Sequence, residues 1–171
     1  QCSWALKHLH DHQFVHQDIK PGNILFRTQK GERYRVGVAD LGVSAFIGLG
    51  TDGATVVGRT KAFAAPEQLL EKTERYAVTA SDIYSLGKVL SELLEVGPET
   101  DAGHGNLQSL IDEMTAEKHQ QRIEINDLIE RLHTCYEDYR GIPYPHEAPI
   151  LENPVEISRH ALTELSNPSS I

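Results

Sequence analysis

Apolar and polar residues alternate along this chain in rhythms that change with position. In 2–13, CSWALKHLHDHQ, Ala5, Leu6 and Leu9 share one helical face, and Phe14 and Val15 prolong the apolar contact. Residues 18–23 lose the period and are broken by Pro21 and Gly22, which predicts a loop. ILFR (24–27) and RYRVGVA (33–39) flank the turn-like TQKGE (28–32), with Tyr34, Val36 and Val38 on one side of the second run. That alternation predicts a β-hairpin ending at Asp40. Residues 41–64, rich in Gly, Ser, Thr and Ala, hold no lasting period and predict a long, partly mobile loop of the kind that is functional or disordered. APEQLLEK (65–72) starts a helix, with Pro66 in its first turn and Glu67 complementing its N-terminus.

The clearest helix spans 79–98, with Ile83, Leu86, Leu90, Leu93 and Leu94 on a wide apolar face. Thr79 or Ser81 can cap its start, and Gly97-Pro98 stops its end. Further helical patterns run over 106–116 (Leu107, Leu110, Ile111, Met114) and 125–139 (Leu128, Ile129, Leu132, Tyr136). From Gly141 the chain carries Pro143, Pro145, Pro149, Pro154 and Pro168 and reads as an extended tail or linker, with a short helix near 156–165. The predicted class is mainly α with one small β-hairpin (α+β), in a domain over 1–139 followed by a tail over 140–171.

Composition narrows the function classes. The 171 residues suit one domain, and 39% hydrophobic with 24% charged residues is ordinary for a globular chain. A formal net charge of −9 without a basic run argues against nucleic acid and anionic membrane as partners. No apolar run approaches the roughly 18 residues of a membrane span, and no signal peptide is visible, so a cytoplasmic location is expected. Cys2 and Cys135 match no metal spacing and read as ordinary thiols of a reducing compartment. His8, His10, His12 and His16 are dense but lack an accompanying acidic ligand pattern, which disfavours a metal cluster.

The chemistry concentrates in HQDIKPGNILF (16–26). Phosphoryl transfer needs a carboxylate to orient the nucleophile, positive charge on the transferred group, and hard ligands for the metal that fixes the phosphates. Asp18, Lys20 and Asn23 supply these from one loop, and Asp40 offers a second oxygen ligand for Mg²⁺. Alone the spacing is weak. It gains weight from three motifs downstream, in the order ADLG (39–42), RTKAFAAPE (59–67) and SDIYSLG (81–87).

This series resembles the C-terminal lobe of a eukaryotic-type serine/threonine protein kinase, over residues 2–139. The resemblance implies a catalytic loop at 16–23 and an activation segment at 40–67. Asp18 matches the catalytic aspartate, and Lys20 the lysine typical of serine/threonine kinases. Asn23 and Asp40 match the Mg²⁺ ligands, Leu25 the apolar residue under the adenine of ATP, and Thr60 the threonine that faces the substrate hydroxyl and contacts the loop aspartate and lysine. His16, Glu67, Asp82 and Arg122 match structural positions: a spine histidine, a buried Glu–Arg pair and a helix aspartate that holds the catalytic loop. Ser44, Thr51, Thr55 and Thr60 are phosphosite candidates by location alone. GLG at 48–50 lacks the strand context of a phosphate-cradling loop.

The pattern also departs from the family. No Gly-rich loop and no strand lysine are visible, and Lys7 and Lys30 stand in the wrong context, so the N-terminal lobe is expected to be absent. The segment alone should then bind ATP weakly or not at all. Gln17 replaces the usual arginine before the aspartate and brings no charge to pair with a phosphorylated activation loop. Activation-loop phosphorylation is therefore expected to be dispensable in the parent protein. Leu41 replaces the usual phenylalanine, Gln13 stands where a helix-ending glycine is common, and the stretch between 98 and 106 leaves no room for a further docking helix. The expected function is transfer of the ATP γ-phosphate to a Ser/Thr hydroxyl of a protein. A pseudokinase or scaffold, or a kinase-like small-molecule phosphotransferase, are the alternatives. The Lys20-Pro21 pair and the APE segment speak against the last.

Overall fold

The computed structural model describes residues 1–27, 35–47, 54–55, 59–70, 76–96 and 104–140. It is mostly helical with a few short strands. Helix α1 (Cys2–Asp11) buries Leu6 and carries a Lys7–Asp11 pair one turn apart at 2.7 Å. It ends where Gln13 turns left-handed (φ 61°), donating its N–H to the His10 carbonyl at 2.9 Å. A single-turn 3₁₀ helix, Pro21–Asn23, comes after the polar loop.

The hairpin forms with the expected alternation. Strands β2 (Ile24–Arg27) and β3 (Arg35–Val38) pair antiparallel, with Ile24 opposite Val38 and Arg27 opposite Arg35. Val36 and Val38 are half-buried while Arg35 and Gly37 face solvent. The turn at 28–32 and Tyr34 lie outside the described residues.

Helix α2 (Thr79–Val96) is the central post. Its start is fixed by Ser81, whose hydroxyl accepts the Val78 N–H at 3.0 Å. Helix α3 (His104–Met114) packs against α2, and helix α4 (Ile125–Arg140) packs against α1 and α3. The core joins Leu6 of α1, Ile83, Leu86 and Val89 of α2, Leu110 and Met114 of α3, and Leu128 and Cys135 of α4. Gly87 sits where α2 passes α3: a Cβ there would lie 2.8 Å from Thr115 and 2.9 Å from Met114. The apolar face of α2 is narrower than its sequence suggests. Leu90 and Leu94 are half-buried, and Leu93 is 56% exposed. It borders an apolar groove of about 340 Å³ shared with Trp4, Phe26 and Tyr136.

The structure departs from the sequence expectation at two further places. The segment 65–72 does not become a helix over its described part. It makes one 3₁₀ turn, Pro66–Leu69, and Leu70 is already extended (φ −56°, ψ 172°). Glu67 and Gln68, both buried, spend their side chains on other segments and tie the turn down. The aperiodic 41–64 contains two-residue strands, β4 (Ala45–Phe46) and β5 (Ala54–Thr55). They pair with β1 (Phe14–Val15) and β6 (Tyr76–Ala77) respectively. The long loop is thereby stitched to the body at both pairings. The tail from 141 lies outside the described residues, as does 97–103.

Candidate functional site

The site begins with Ile19. It is 1% exposed and belongs to the core, although it stands between Asp18 and Lys20. Burying such a side chain contributes about 1.5–3 kcal/mol, enough to pin the loop and hold its polar neighbours facing outward. The loop's backbone is held from below by Asp82, itself fully buried on α2. Its carboxylate accepts the N–H of His16 at 2.8 Å and of Gln17 at 2.9 Å. The His10 ring reaches the same carboxylate at 2.9 Å. Gln17 is left-handed (φ 72°) and 1% exposed, a conformation that this anchoring sustains.

His16 is wholly buried and joins the loop to the hairpin. Its Nδ1 faces the Asp18 N–H at 3.4 Å, and since an amide can only donate, Nδ1 accepts. Nε2 then carries the proton and donates to the Ala39 carbonyl at 3.0 Å. The dense histidines thus have separate tasks. His8 and His12 stack on each other with centroids 4.5 Å apart, and His10 and His16 brace the loop. Among the described residues no group of three or more His, Cys, Asp or Glu side chains converges.

Asp18, Lys20 and Thr60 form a closed triangle. Lys20 Nζ donates to Asp18 Oδ2 at 2.6 Å and to Thr60 Oγ1 at 3.1 Å. Thr60 donates both its N–H and its hydroxyl to Asp18 Oδ1, each at 2.8 Å. Burial pushes the Asp18 carboxyl up. The hydrogen bonds from Lys20 and Thr60 and the ammonium charge outweigh it, and the net position is below the usual carboxylate range. Asp18 is therefore ionised at neutral pH.

Asn23, buried after the 3₁₀ turn, donates its side-chain N–H to the Asp18 carbonyl at 2.8 Å. The carboxamide oxygen is then the end turned away from that bond. Ala39 donates its N–H to the Asn23 carbonyl at 2.9 Å, so the hairpin register brings Asp40 next to this corner. Asp40 is exposed and left-handed (φ 67°), and its Oδ1 accepts the Gly42 N–H at 3.2 Å. Leu25 and Phe26 stand on the hairpin at 57% and 69% exposure, apolar surface beside a polar corner. None of Asp18, Lys20, Asn23, Asp40 or Thr60 borders the apolar groove under α1.

The remaining sequence-predicted residues form a second buried constellation. Arg122 donates to Glu67 through both terminal nitrogens, each at 2.8 Å. It also donates to the carbonyls of Ala116, Ala80 and Glu117, and its guanidinium lies 4.8 Å from the Tyr84 ring centre. Burial pushes the Glu67 carboxyl up, but hydrogen bonds from Arg122 and Ser81 bring it below its usual range. Of the four candidate phosphosites, Thr60 is in the triangle and Ser44 Oγ lies 3.4 Å from the His16 carbonyl. Thr51 lies outside the described residues.

Sequence reasoning missed Gln68 and His10, and it gave Ser81 a capping role only. Gln68 joins the 65–69 turn to the catalytic-looking loop, and Ser81 donates to Glu67 at 2.6 Å. No local pattern marks these long-range roles, because Gln17, Glu67 and Asp82 stand at least fourteen residues from Gln68, Ser81 and His10 respectively.

Residues 1–140 match the family described as protein kinase domain. The chain belongs to the protein kinase domain family. Relatives of this protein kinase domain are named as serine/threonine kinases. The probable serine/threonine-protein kinase zyg-1 of Caenorhabditis briggsae is 31% identical over 62% of this chain and 14% of its own length. Serine/threonine-protein kinase nekl-2 of Caenorhabditis elegans is 30% identical over 88% of this chain and 40% of its own. Mitogen-activated protein kinase kinase 8 of Arabidopsis thaliana is 36% identical over 51% and 29%. This kinase domain chain thus spans less than half the length of these relatives. Among the described residues no helix is long and apolar enough to cross a membrane.

Proposed function

We propose that this chain is the C-terminal lobe of a serine/threonine protein kinase and carries the lower half of its catalytic site. The closed Asp18–Lys20–Thr60 triangle supports this most directly. It holds an ionised carboxylate beside an ammonium, with a threonine that can yield its place to a substrate hydroxyl. Asp18 orients that hydroxyl, whose oxygen attacks the γ-phosphorus of ATP. Its proton passes late to Asp18, and ADP leaves. Lys20 balances charge on the transferred phosphoryl group.

The Asn23 carboxamide oxygen and the Asp40 carboxylate are a hard-oxygen pair of the kind that suits Mg²⁺, which takes few protein ligands and completes its shell with phosphates and water. When bound, Mg²⁺ supplies neutralisation of phosphate charge. Leu25 offers apolar surface to the adenine ring. A protein substrate presents the Ser or Thr. A second lobe carrying a phosphate-covering loop and a lysine-bearing strand completes the ATP site. The two-point backbone anchoring by Asp82, the His16 bridge and the Glu67–Arg122 pair keep this floor rigid.

In the parent protein, Asp18→Asn should lower phosphate transfer to a protein substrate by roughly a thousandfold or more, with unchanged thermal stability of the domain. Near-normal transfer by that variant would remove the assignment. A panel of aminoglycoside and choline acceptors tests the small-molecule alternative. Mg-ATP titrated calorimetrically into the isolated segment should give no micromolar affinity. We also propose that the parent enzyme is active without phosphate on its activation segment, because Gln17 carries no charge to receive one. Inactivity of the fully dephosphorylated enzyme, restored by phosphorylation, would refute this.

A further inference from the structure

Gln68 is wholly buried, one of the largest side chains with no access to solvent. Its amide makes two bonds in opposite directions. Oε1 accepts the Ala65 N–H at 3.0 Å, and Nε2 donates to the Gln17 carbonyl at 3.2 Å. The backbone partners fix the amide's orientation, since an N–H can only donate and a carbonyl can only accept. Gln17 is the residue before Asp18, and Ala65 (0% exposed) follows a tight turn in which Phe63 and Ala64 donate to the Thr60 carbonyl at 3.0 and 3.1 Å. Thr60 in turn donates twice to Asp18 Oδ1.

These links close into a ring. It runs from Asp18 through Thr60, the 60–64 turn, Ala65 and Gln68 to the Gln17 carbonyl, and so back to Asp18. One segment of the ring crosses the reacting carboxylate, and the other crosses the Gln68 amide. The Asp82 bonds hold the Gln17 N–H from the opposite side. Asp82 and Gln68 therefore grip the two polar groups of one strained residue, whose φ of 72° sets the direction in which Asp18 leaves the loop.

We infer that Gln68 is a positioning residue for Asp18: its amide couples the end of the activation segment to the backbone preceding the catalytic carboxylate and fixes how Thr60 meets it. The inference rests on the kinase reading for its catalytic consequence, and on the ring alone for its structural one. Gln68→Met keeps the length and bulk of the side chain but leaves the Ala65 N–H and the Gln17 carbonyl unsatisfied. Its effect should reach Asp18 through both arms of the ring. Thr60 loosens, and the two bonds it donates to the Asp18 carboxylate lengthen.

The test uses the full-length parent protein. Gln68→Met should lower kcat by about 10–100-fold, the cost of a misplacement on the order of 1 Å, with KM for ATP within about twofold of wild type. An unchanged KM with a lowered kcat is the signature of a displaced Asp18. Val89→Ala, a core change in α2 remote from the ring, controls for destabilisation and should keep kcat within about twofold of wild type. A Gln68→Met enzyme whose kcat matches that of Val89→Ala would reduce Gln68 to a packing residue and overturn the inference. An independent measurement needs neither activity nor a variant. In the wild-type protein the amides of Gln17, Thr60 and Ala65 should exchange with deuterium as one unit, with protection within about tenfold. Exchange of Ala65 more than about a hundredfold faster than Gln17 would break the ring and the inference with it. If the wild-type protein transferred no phosphate while these amides exchanged together, the kinase reading would fail and the coupling would stand.

Discussion

Replacing Arg122 by alanine removes a guanidinium with no solvent access from a carboxylate that is 5% exposed. Two charge-assisted hydrogen bonds to Glu67 are lost, each contributing about 1.5–3 kcal/mol. Glu67 Oε1 keeps its bond from Ser81, but Oε2 loses the Arg122 bond. Water entering the vacated space can satisfy the half-buried carbonyls of Ala80 and Ala116, so they add little. The contact with Tyr84 adds roughly 0.5–1 kcal/mol. Breaking one side of a buried pair costs about 3–5 kcal/mol, and about 4 kcal/mol is expected here. That is on the order of a thousandfold in the folded-to-unfolded ratio. Urea-dependent pulse proteolysis of the parent protein at pH 7 reads it directly.

The cost arises from the stranded charge rather than from lost attraction. The double variant Glu67→Gln with Arg122→Met should therefore recover about half of it. The pH dependence has a definite sign. The folded-state pKa of Glu67 is depressed, so the stability it contributes is present above the ordinary carboxylate range. It declines progressively as pH falls below that range and is fully lost once pH has fallen through the lowered folded value. An Arg122→Ala variant within about 1 kcal/mol of wild type, or a double variant that is simply additive, would refute the reasoning.

Asp82→Ala should cost about 2–5 kcal/mol, since it leaves the buried N–H groups of His16 and Gln17 without their acceptor; thermal denaturation of the parent protein checks it. Gly87→Ala, which helix propensity alone would favour by about 1 kcal/mol, should instead destabilise by roughly 1–2 kcal/mol because its methyl meets Thr115 and Met114. A raised melting temperature would contradict that close approach. Gln13→Gly should stabilise by about 0.5–1 kcal/mol, because φ of 61° costs a side-chain-bearing residue more than glycine, and chemical denaturation measures it.

The hairpin and the helices were legible because their signals are local. Alternation at 36–38 and a 3.6-residue period through Ile83 and Leu86 survive in the structure as half-buried strand positions and a buried helix face. The segment 65–70 was not legible. Its Pro and Glu suit a helix start, but Glu67 answers to Arg122, fifty-five residues away, and Gln68 to Gln17, fifty-one residues back. The two-residue strands β1 and β4 are too short to show a period, and only the Phe14–Phe46 and Val15–Ala45 register reveals them.

The sequence by itself determined which polar residues stand together in one loop, Asp18, Lys20 and Asn23, and the order of the motifs that gave the loop its meaning. Chain spacing fixes both. Tertiary structure alone decided that Gln68 grips Gln17 from the side opposite Asp82, that 65–70 turns instead of continuing as a helix, and that His10 reaches the Asp82 carboxylate. Those relations depend on where buried donors and acceptors find partners once water is excluded, and no rhythm along the chain records that choice.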